Sequence, residues 1–310
     1  MIKTLVTGAS GFIGRHSLPL LLKAGHEVHA VSLKKKNPII SGVNWHQADL
    51  KSYSQTKKLF ADIRPTHLLH FAWTTEPGSF WDDLENKKWV QASLELLKTF
   101  QMHGGRRIVI AGTCAEYEWN EQICSEIKTP TKPATLYGNC KNELQLKANT
   151  FCKKYKLSLC WGRIFFVYGP YEHPVRLIPS VINSLLSKKV AECTHGEQYR
   201  DLLYVEDVAS GFVALLCTEV TGIVNIGSGE SSMLKNIIET IGEKVGYPEL
   251  IRLGSIPSRL GDPIRLVADI NKLRKEVGWS PKFSLDVGLD KTIQWWKAID
   301  LNDDNISINR

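Results

Sequence analysis

Short apolar runs alternate with amphipathic stretches through the first half of the chain. The runs have the length and the flanking turn residues of buried strands, and they cover residues 4–7, 27–31, 67–72, 107–111 and 158–164. Helix-like stretches lie between them, for example at residues 14–24 and 87–103. Strands that alternate with helices form right-handed crossovers onto one sheet. The pattern therefore predicts an α/β fold with a doubly wound parallel sheet.

The alternation becomes looser after about residue 170. A helix-like stretch covers residues 177–187, a short strand is predicted at residues 222–226, and residues 302–310 are polar. There is no internal repeat and no separate linker in the sequence. We therefore expect a smaller C-terminal lobe that interleaves with the first domain and shares a cleft with it.

The composition is that of a globular protein with a basic balance. With 310 residues and 43% hydrophobic content, the chain is long enough for one large domain or two ordinary ones. The formal net charge is +7, but basic and acidic residues are interspersed. Such a charge suits an anionic small molecule as well as nucleic acid. Because no basic stripe with interleaved aromatic residues stands out, we expect no nucleic-acid partner.

The cysteines and the N-terminus indicate the compartment. The seven cysteines are odd in number and show neither a CxxC motif nor a Cys/His zinc spacing, which favours a reduced compartment and no metal site. The N-terminus runs directly into an apolar strand without a signal-peptide pattern, and no apolar run approaches ~18 residues. We therefore expect a cytoplasmic protein without a membrane segment.

A glycine motif lies between the first predicted strand and the first predicted helix. In this motif Gly8 would allow a tight turn, Gly11 would let the backbone approach a pyrophosphate, and Gly14 would let the helix pack on the strand. The helix N-terminus would then offer free N–H groups to a diphosphate. The motif predicts a dinucleotide site, and a tight structural turn is the alternative. The residues assigned to the site are Gly8, Ser10, Gly11, Phe12, Ile13, Gly14 and Arg15.

The end of the second predicted strand indicates which dinucleotide is bound. An NAD enzyme usually presents an acidic residue there to the adenosine ribose, but this strand ends with Ser32 and Lys34. A carboxylate would repel a 2′-phosphate, whereas Ser32, Lys34 and Arg15 would hold it. We therefore favour NADP(H) over NAD(H), the alternative being that the basic stretch is a solvated loop. Asp49 and Leu50 are assigned to the adenine edge, with a helix N-cap role for Asp49 left open.

The candidate chemistry lies further along the chain. Tyr137 and Lys141 are four residues apart and therefore share one face of a predicted helix. A proton must reach or leave the oxygen when hydride moves at a carbonyl carbon, and Lys141 would stabilise the phenolate of Tyr137 for that transfer. On its own this spacing is common on surface helices. An apolar strand leads to Thr113, whose hydroxyl would hydrogen-bond the substrate oxygen unless it is only a strand-end turn residue.

These motifs together resemble the extended short-chain dehydrogenase/reductase family of nucleotide-sugar epimerases, dehydratases and ketoreductases. The resemblance covers nearly the whole chain, and its parts occur in the family's order. They are residues 7–14, 49–50, 70–72, 113–117, 137–141, 162–163, 168–170, 200–201, 205–209, 225–227 and 278–279. The resemblance implies an NAD(P)-binding Rossmann domain at residues 1–165. Residues 166–310 would form mainly a substrate-binding lobe, with some segments returning to the Rossmann domain.

The resemblance also implies roles for single residues. Tyr137 would be the acid/base, Lys141 its electrostatic partner and the ligand of the nicotinamide ribose, and Thr113 the third member of the triad. Arg200 and Arg259 would contact the diphosphate or ribose of a nucleotide-diphosphate sugar, since a diphosphate binds guanidinium groups. Surface or interlobe ion pairs are the alternative for both arginines.

Three further residues and the assembly state are assigned with the family pattern in view. Phe71 and Ala72 are assigned to the cofactor site. Phe166 is assigned to the sugar or base pocket, where buried packing is the alternative. The family is often dimeric, and we expect a homodimer.

Departures from the family pattern narrow the expected reaction. In sugar-nucleotide 4,6-dehydratases the catalytic Thr is followed by Asp-Glu, whereas Thr113 is followed by Cys114 and Ala115. Epimerases of the galactose type commonly show the acidic residue that is absent at Ser32, and residues 161–174 particularly resemble reductases that finish deoxysugar nucleotides. We therefore predict NADPH-dependent reduction of an NDP-4-keto-6-deoxy sugar at C4 to an NDP-deoxyhexose. The alternatives are an NAD-dependent nucleotide-sugar epimerase and, more remotely, a non-catalytic dinucleotide-binding regulator.

Overall fold

The computed structural model describes residues 2–34, 40–119, 123–258 and 261–300. The strands are β1 (Lys3–Thr7), β2 (Glu27–Ser32), β3 (Val43–Gln47), β4 (His67–His70), β5 (Arg107–Thr113), β6 (Ile123–Cys124), β7 (Ser158–Ile164), β8 (Phe166–Tyr168), β9 (Ala191–Glu192), β10 (Tyr199–Arg200), β11 (Leu202–Tyr204), β12 (Gly222–Ile226), β13 (Ser232–Met233), β14 (Ile251–Arg252) and β15 (Arg265–Ala268). The helices are α1 (Gly14–Lys23), α2 (Tyr53–Ile63), α3 (Glu85–Met102), α4 (Leu136–Tyr155), α5 (Leu177–Leu186), α6 (Val205–Cys217), α7 (Leu234–Val245), α8 (Asn271–Lys275) and α9 (Leu285–Asp300). Short 3-10 turns occupy Cys114–Glu116 and Pro248–Leu250.

Seven parallel strands form the main sheet, in the order β12-β7-β5-β4-β1-β2-β3. The chain starts near the middle at β1, runs outward to β3, and then crosses to the other side of β1 through β4, β5 and β7. A reversal of this kind leaves a crevice at the carboxyl ends of the two central strands, here β1 and β4. The predicted doubly wound parallel sheet is confirmed.

Helices cover both faces of the main sheet. Successive residues of a strand point to opposite faces, so neighbouring residues of one strand belong to different cores. Leu5 and Leu68 pack in one core with residues of α2, α3 and α4. Their neighbours Val6 and Leu69 pack in another core with α1 and α6. Burial on both faces explains why these strands are nearly continuous apolar runs in the sequence. None of the helices in the described ranges is both long and apolar enough to cross a bilayer.

A smaller part of the molecule is built mainly from residues after β7, together with the short strand β6. Helices α5, α7 and α9 enclose an apolar core of their own, and β13, β10, β15 and β6 form a second sheet. The strand predicted at residues 222–226 is present as β12, but it pairs in parallel with β7 and extends the main sheet. The boundary between residues 165 and 166 stays a prediction.

Candidate active site

The glycine loop joins β1 to α1 at the carboxyl end of the main sheet. Gly8 has a φ of +66°, and a Cβ there would lie 2.8 Å from the Ala72 nitrogen at the end of β4. A Cβ on Gly14 would collide with the Gly8 carbonyl oxygen. On Gly11, by contrast, a Cβ would meet only that same oxygen, at 3.1 Å, among the residues described. Two glycines therefore fix the loop against the sheet and the helix, and the third leaves its outer face open.

Helix α1 begins at this open face without a side-chain cap, since its N-cap residue Ile13 makes no side-chain hydrogen bond. The first N–H groups of a helix have no partner within the helix, and they attract anions together with the helix dipole. Phe12 and Ile13 are half-buried beside the exposed Gly11. The loop and the helix end fit the diphosphate of a dinucleotide.

Ser32 at the end of β2 and Arg15 in the first turn of α1 both contact Ser10 of the glycine loop. The Ser32 hydroxyl lies 3.2 Å from the Ser10 hydroxyl and accepts a hydrogen bond from the Lys34 backbone nitrogen at 3.1 Å. The Arg15 guanidinium donates to the Ser10 carbonyl oxygen at 2.6 Å and lies 3.9 Å from the centre of the Tyr171 ring. The charge of Arg15 is therefore engaged by the loop itself rather than held at the end of β2.

Four other residues assigned to the cofactor have mainly structural contacts. An Asp49 carboxylate oxygen accepts a hydrogen bond from the Lys51 backbone nitrogen at 2.9 Å, and Leu50 is buried in the core. The ring of Phe71 meets that of Phe212 edge to face at 4.9 Å. Ala72 is buried against the glycine loop. Asp49 stabilises a turn before α2 rather than capping the helix, because Ser52 is the N-cap.

The three predicted catalytic residues come together at the end of β5. Thr113 is the last residue of β5, and its hydroxyl lies within hydrogen-bonding reach of the Tyr137 phenol in the first turn of α4. The Lys141 Nζ lies 6.0 Å from the centre of the Tyr137 ring and donates to the Ala111 carbonyl oxygen at 3.0 Å. The geometry thus joins a hydroxyl, a phenol and an ammonium group that lie on two elements.

Burial acts in opposite directions on the two titratable groups of this trio. It raises the pKa of Tyr137, while the hydrogen bond with Thr113 lowers it and the charge of Glu116 raises it further. Burial lowers the pKa of Lys141 to about 7, against the opposing effect of Glu116. Desolvation disfavours the charged form of each group. Burial therefore favours the neutral phenol and the neutral amine, so the ionised pair of phenolate and ammonium costs more free energy than the ordinary pKa values of the two groups would require.

Aromatic side chains enclose Tyr137 on its outer side. The ring of Phe80 lies edge to face at 5.0 Å from the ring of Tyr137, and Trp81 and Trp73 follow at 5.9 and 6.4 Å. The segment between β4 and α3 provides all three rings, which explains the burial of the phenol. From the sequence, Trp73 and Trp81 follow the fourth predicted strand, where we expect a loop over the active site, with hydrophobic packing favoured over stacking on a nucleoside. Their contacts with Tyr137 on a distant helix could not be predicted, because the spacing of these aromatic residues has no helical or strand period.

Glu116 is a buried residue beside the site that the sequence analysis did not single out. Its carboxylate accepts hydrogen bonds from the Thr113 backbone nitrogen at 2.8 Å, from Trp161 Nε1 at 3.0 Å and from Arg163 Nε at 2.7 Å. Both ends of the ion pair with Arg163 are buried, with side-chain exposures of 0% and 1%. The buried carboxylate therefore fixes the turn that carries Thr113.

Two of the predicted substrate ligands, Arg200 and Phe166, lie on β10 and β8. Arg200 is buried, and its guanidinium pairs with Asp262 at 2.6 Å and donates to the Pro263 carbonyl oxygen at 2.8 Å. Its Cζ lies 5.3 Å from the centre of the half-buried Phe166 ring. Arg200 therefore forms an ion pair in this structure, which was the alternative to substrate binding that the sequence left open. Arg259 lies outside the described residues.

The chain is similar over nearly its whole length to sugar-nucleotide epimerases. It is 28% identical over 325 residues to the UDP-glucose 4-epimerase of Halalkalibacterium halodurans, with 94% of this chain and 95% of that protein covered. It is 27% identical over 314 residues to the UDP-glucuronate 4-epimerase of Thermodesulfobacterium geofontis, with 94% and 95% covered. The solved structure of the Thermus thermophilus UDP-glucose 4-epimerase in complex with NAD superposes with a TM-score of 0.86 at 26% identity, covering 96% of this chain and 99% of that one.

These similarities correct two predictions. The predicted 4-ketoreductase activity is wrong, because the relatives are 4-epimerases. The predicted preference for NADP(H) is also wrong, because the Thermus structure is a complex with NAD and the matching family is described as NAD dependent. The absence of an acidic residue beside Ser32, together with the nearby Arg15, was interpreted as a site for a 2′-phosphate. In the structure the Arg15 guanidinium instead donates to the Ser10 carbonyl oxygen of the glycine loop.

The match to the family itself is extensive. It spans residues 4–227 of the 310 in the chain. This range contains nearly all of the main sheet, the glycine loop, and the meeting point of Thr113, Tyr137 and Lys141. Because the match covers more than half of the chain, the chain belongs to the NAD dependent epimerase/dehydratase family.

Proposed function

We propose that this protein is an NAD-dependent nucleotide-sugar 4-epimerase that acts on a UDP-hexose. The observation that carries the proposal is the meeting of Thr113, Tyr137 and Lys141 at one end of the sheet, in a chain that is similar over nearly its whole length to UDP-sugar 4-epimerases. A nucleotide-sugar epimerase was the first alternative to the reductase that the sequence left open.

In the proposed reaction the chain's own residues handle the proton at the C4 oxygen. The Thr113 hydroxyl hydrogen-bonds that oxygen. Tyr137 takes the proton of the oxygen as C4 is oxidised, and Tyr137 returns the proton after the sugar has rotated to present its opposite face. Lys141 stabilises the phenolate through its charge. Bound NAD would supply the redox chemistry by taking a hydride from C4 and returning it to the opposite face.

The residues after Thr113 argue against elimination chemistry. Cys114 and Ala115 are both buried, and burial raises the pKa of the Cys114 thiol. Neither side chain offers the acid and base that a 4,6-dehydratase uses at these positions. The sugar would therefore keep its oxygen at C6, which is consistent with epimerisation at C4.

The proposed cofactor site runs from the glycine loop to Lys141. Its diphosphate part is the open face of Gly11 and the uncapped start of α1. At the adenosine end, the hydroxyl groups of Ser10 and Ser32 would hydrogen-bond a ribose in place of an acidic side chain. The remaining residues proposed for the site are Gly8, Phe12, Ile13, Gly14, Arg15, Lys34, Asp49, Leu50, Phe71, Ala72, Tyr137 and Lys141.

The proposed substrate site lies on the side of the smaller lobe. Arg200 would exchange the Asp262 carboxylate for the diphosphate of the sugar nucleotide, and Arg259 would be a second ligand. Phe166 would line the sugar or base pocket. We further propose that residues 1–165 and 166–310 form the two lobes and that the protein is a homodimer.

The test is direct conversion of UDP-sugars by the purified protein. UDP-glucose and UDP-glucuronate are incubated with it, and the formation of their C4 epimers is followed by chromatography or NMR, while absorbance at the NADH wavelength reports net redox change. We expect epimerisation without net consumption of NAD. Stoichiometric oxidation or reduction of a nucleotide sugar, with no epimer formed, would overturn the proposed function.

A variant tests the role of Tyr137. Tyr137→Phe should lower kcat by about 10²–10⁴-fold, the usual range for losing a general acid/base, while the NAD content stays close to that of the wild type. Tyr155→Phe is the matched control, because this tyrosine ends the same helix and is 43% exposed. Full activity in Tyr137→Phe would exclude the proposed acid/base role.

A further inference from the structure

The Lys141 ammonium is buried and makes few contacts. It donates to the Ala111 carbonyl oxygen at 3.0 Å, and its Nζ lies 3.8 Å from the centre of the Trp73 ring. That distance is within the range of a cation–π interaction, and the interaction is stronger where water is excluded. The Trp73 ring is therefore one of only two partners of this ammonium within 4 Å in the described part of the chain.

Other charged and titratable groups face Lys141 from a greater distance. They are Tyr137 on its own helix, Glu116 after β5, and His70 at the end of β4. Glu116 forms its ion pair with Arg163 instead. Burial keeps His70 neutral by lowering its pKa to about 3. Among the described residues, no carboxylate therefore offsets the burial of Lys141 through a direct ion pair.

The Trp73 ring is itself held in place. Its Nε1 donates to the Asn86 side-chain oxygen at 2.7 Å, and the Asn86 side-chain nitrogen donates to the Phe80 carbonyl oxygen at 2.7 Å. The ring also stacks on Trp89, with centroids 6.2 Å apart and planes 25° apart. The first turn of α3 thus fixes the indole beneath the ammonium.

We propose that Trp73 is a positioning residue that keeps the Lys141 ammonium charged and beside Tyr137 through a cation–π contact. This inference rests on the proposed acid/base function of Tyr137 and Lys141. Burial drives Lys141 towards the neutral amine, and the face of an indole favours the cation. Trp73 thereby opposes the effect of burial at a site where no carboxylate in the described ranges is paired with the lysine.

The consequence for activity follows from the states of the pair. The reacting form needs an ionised Tyr137 beside a charged Lys141, and this form competes with the pair in which both groups are neutral. Each unit by which the pKa of Lys141 falls reduces the reacting form about tenfold relative to the neutral pair. Loss of the indole should therefore lower kcat and leave the KM for the UDP-sugar nearly unchanged.

The first experiment observes Lys141 without relying on activity. Full-length protein labelled with 13C in lysine is titrated by NMR, and the Lys141 signal is assigned as the one missing from Lys141→Met. In the wild type we expect its methylene protons beside Nζ to be shifted upfield by the Trp73 ring current. Lysine protons at ordinary positions would overturn the inference whatever the variants do.

The second experiment compares two substitutions at one position. Trp73→Leu should lower the titration midpoint of Lys141 by about one unit and kcat about tenfold, whereas Trp73→Phe, which keeps a ring, should show less than half of the shift. Equal midpoints in both variants would contradict the inference, even if Trp73→Leu were inactive. If the wild type fails to epimerise UDP-sugars, the proposed function fails, but the NMR midpoints still decide the role of Trp73.

Discussion

Glu116 shows how one buried side chain can carry the geometry of the candidate site. A buried ion pair stabilises a fold only weakly compared with apolar packing, because both charges lose their water. Once it has formed, however, removal of one partner leaves the other charge buried alone. Here the second partner is Arg163 on β7, and the carboxylate also holds the Thr113 backbone nitrogen. Glu116 should therefore matter for stability and for the position of Thr113.

Glu116→Gln tests this dependence. The substitution leaves the Arg163 guanidinium buried without its counter-charge, and we expect the free energy of unfolding to fall by about 3–5 kcal/mol, measured by urea denaturation. Glu143→Gln on α4 is the control, because its partner Lys147 is exposed and such a helix pair contributes about 0.3–0.5 kcal/mol. Similar losses in the two variants would show that the buried pair has no special weight.

At the scale of elements, α4 is placed by a close approach to the turn after β5. A Cβ on Gly138 would collide with the Ala115 carbonyl oxygen, so the helix can lie this near only because residue 138 has no side chain. The Thr135 hydroxyl caps the same helix end by accepting from the Gly138 backbone nitrogen at 3.1 Å. This approach brings Tyr137 within reach of Thr113.

Gly138→Ala should therefore move α4 away from the turn. We expect a loss of about 1–3 kcal/mol in the free energy of unfolding, which is typical of overpacking, together with a fall in kcat. Gly211→Ala in α6 is the matched control: its added Cβ would meet Trp279 at an ordinary 3.6 Å. If Gly138→Ala is as stable and active as that control, the close approach does not position Tyr137.

The sequence predicted well those features that lie within one element. Tyr137 and Lys141 share a helix face because they are four residues apart, and the apolar runs identify strands that are covered on both sides. It failed where a partner comes from a distant element. The sequence separation of 47 between Glu116 and Arg163 hides their ion pair, and the place of β12 depends on its pairing with β7. Arg15 was misinterpreted because its contact with Tyr171 is even more remote in sequence.

At the scale of the whole molecule, two buried groups make stability depend on pH in opposite directions. Burial raises the pKa of Glu172 to about 8 and lowers that of His70 to about 3, from ordinary values of 4.5 and 6.5. Glu172 binds its proton more tightly in the folded state, so it removes stability as the pH rises from about 4.5 to 8. His70 binds its proton more weakly in the folded state, so it removes stability as the pH falls from about 6.5 to 3. The two effects cancel between about pH 4.5 and 6.5.

Glu172→Gln should abolish the loss on the alkaline side. An uncharged amide cannot ionise, so between pH 6.5 and pH 8 the wild type should lose about 2 kcal/mol relative to this variant, at 1.36 kcal/mol for each unit. Lys141, whose pKa burial lowers to about 7, adds stability over the same range equally in both proteins. Urea denaturation at these two pH values measures the difference. Glu230→Gln, at an exposed glutamate, should keep the wild-type loss, and a Glu172→Gln variant that keeps it too would contradict the assignment.

The position of β12 also bears on how the protein is made. The strand lies at the edge of the main sheet beside β7, although β8 to β11 and two helices come between them in the chain. During synthesis β7 therefore leaves the ribosome long before its outer neighbour, with backbone groups that can pair with another chain. Completion of the sheet that carries Thr113 must wait until Ile226 has emerged. A pause or a premature stop between these strands would release a chain with an open sheet edge, which is a form that chaperones bind and aggregates recruit.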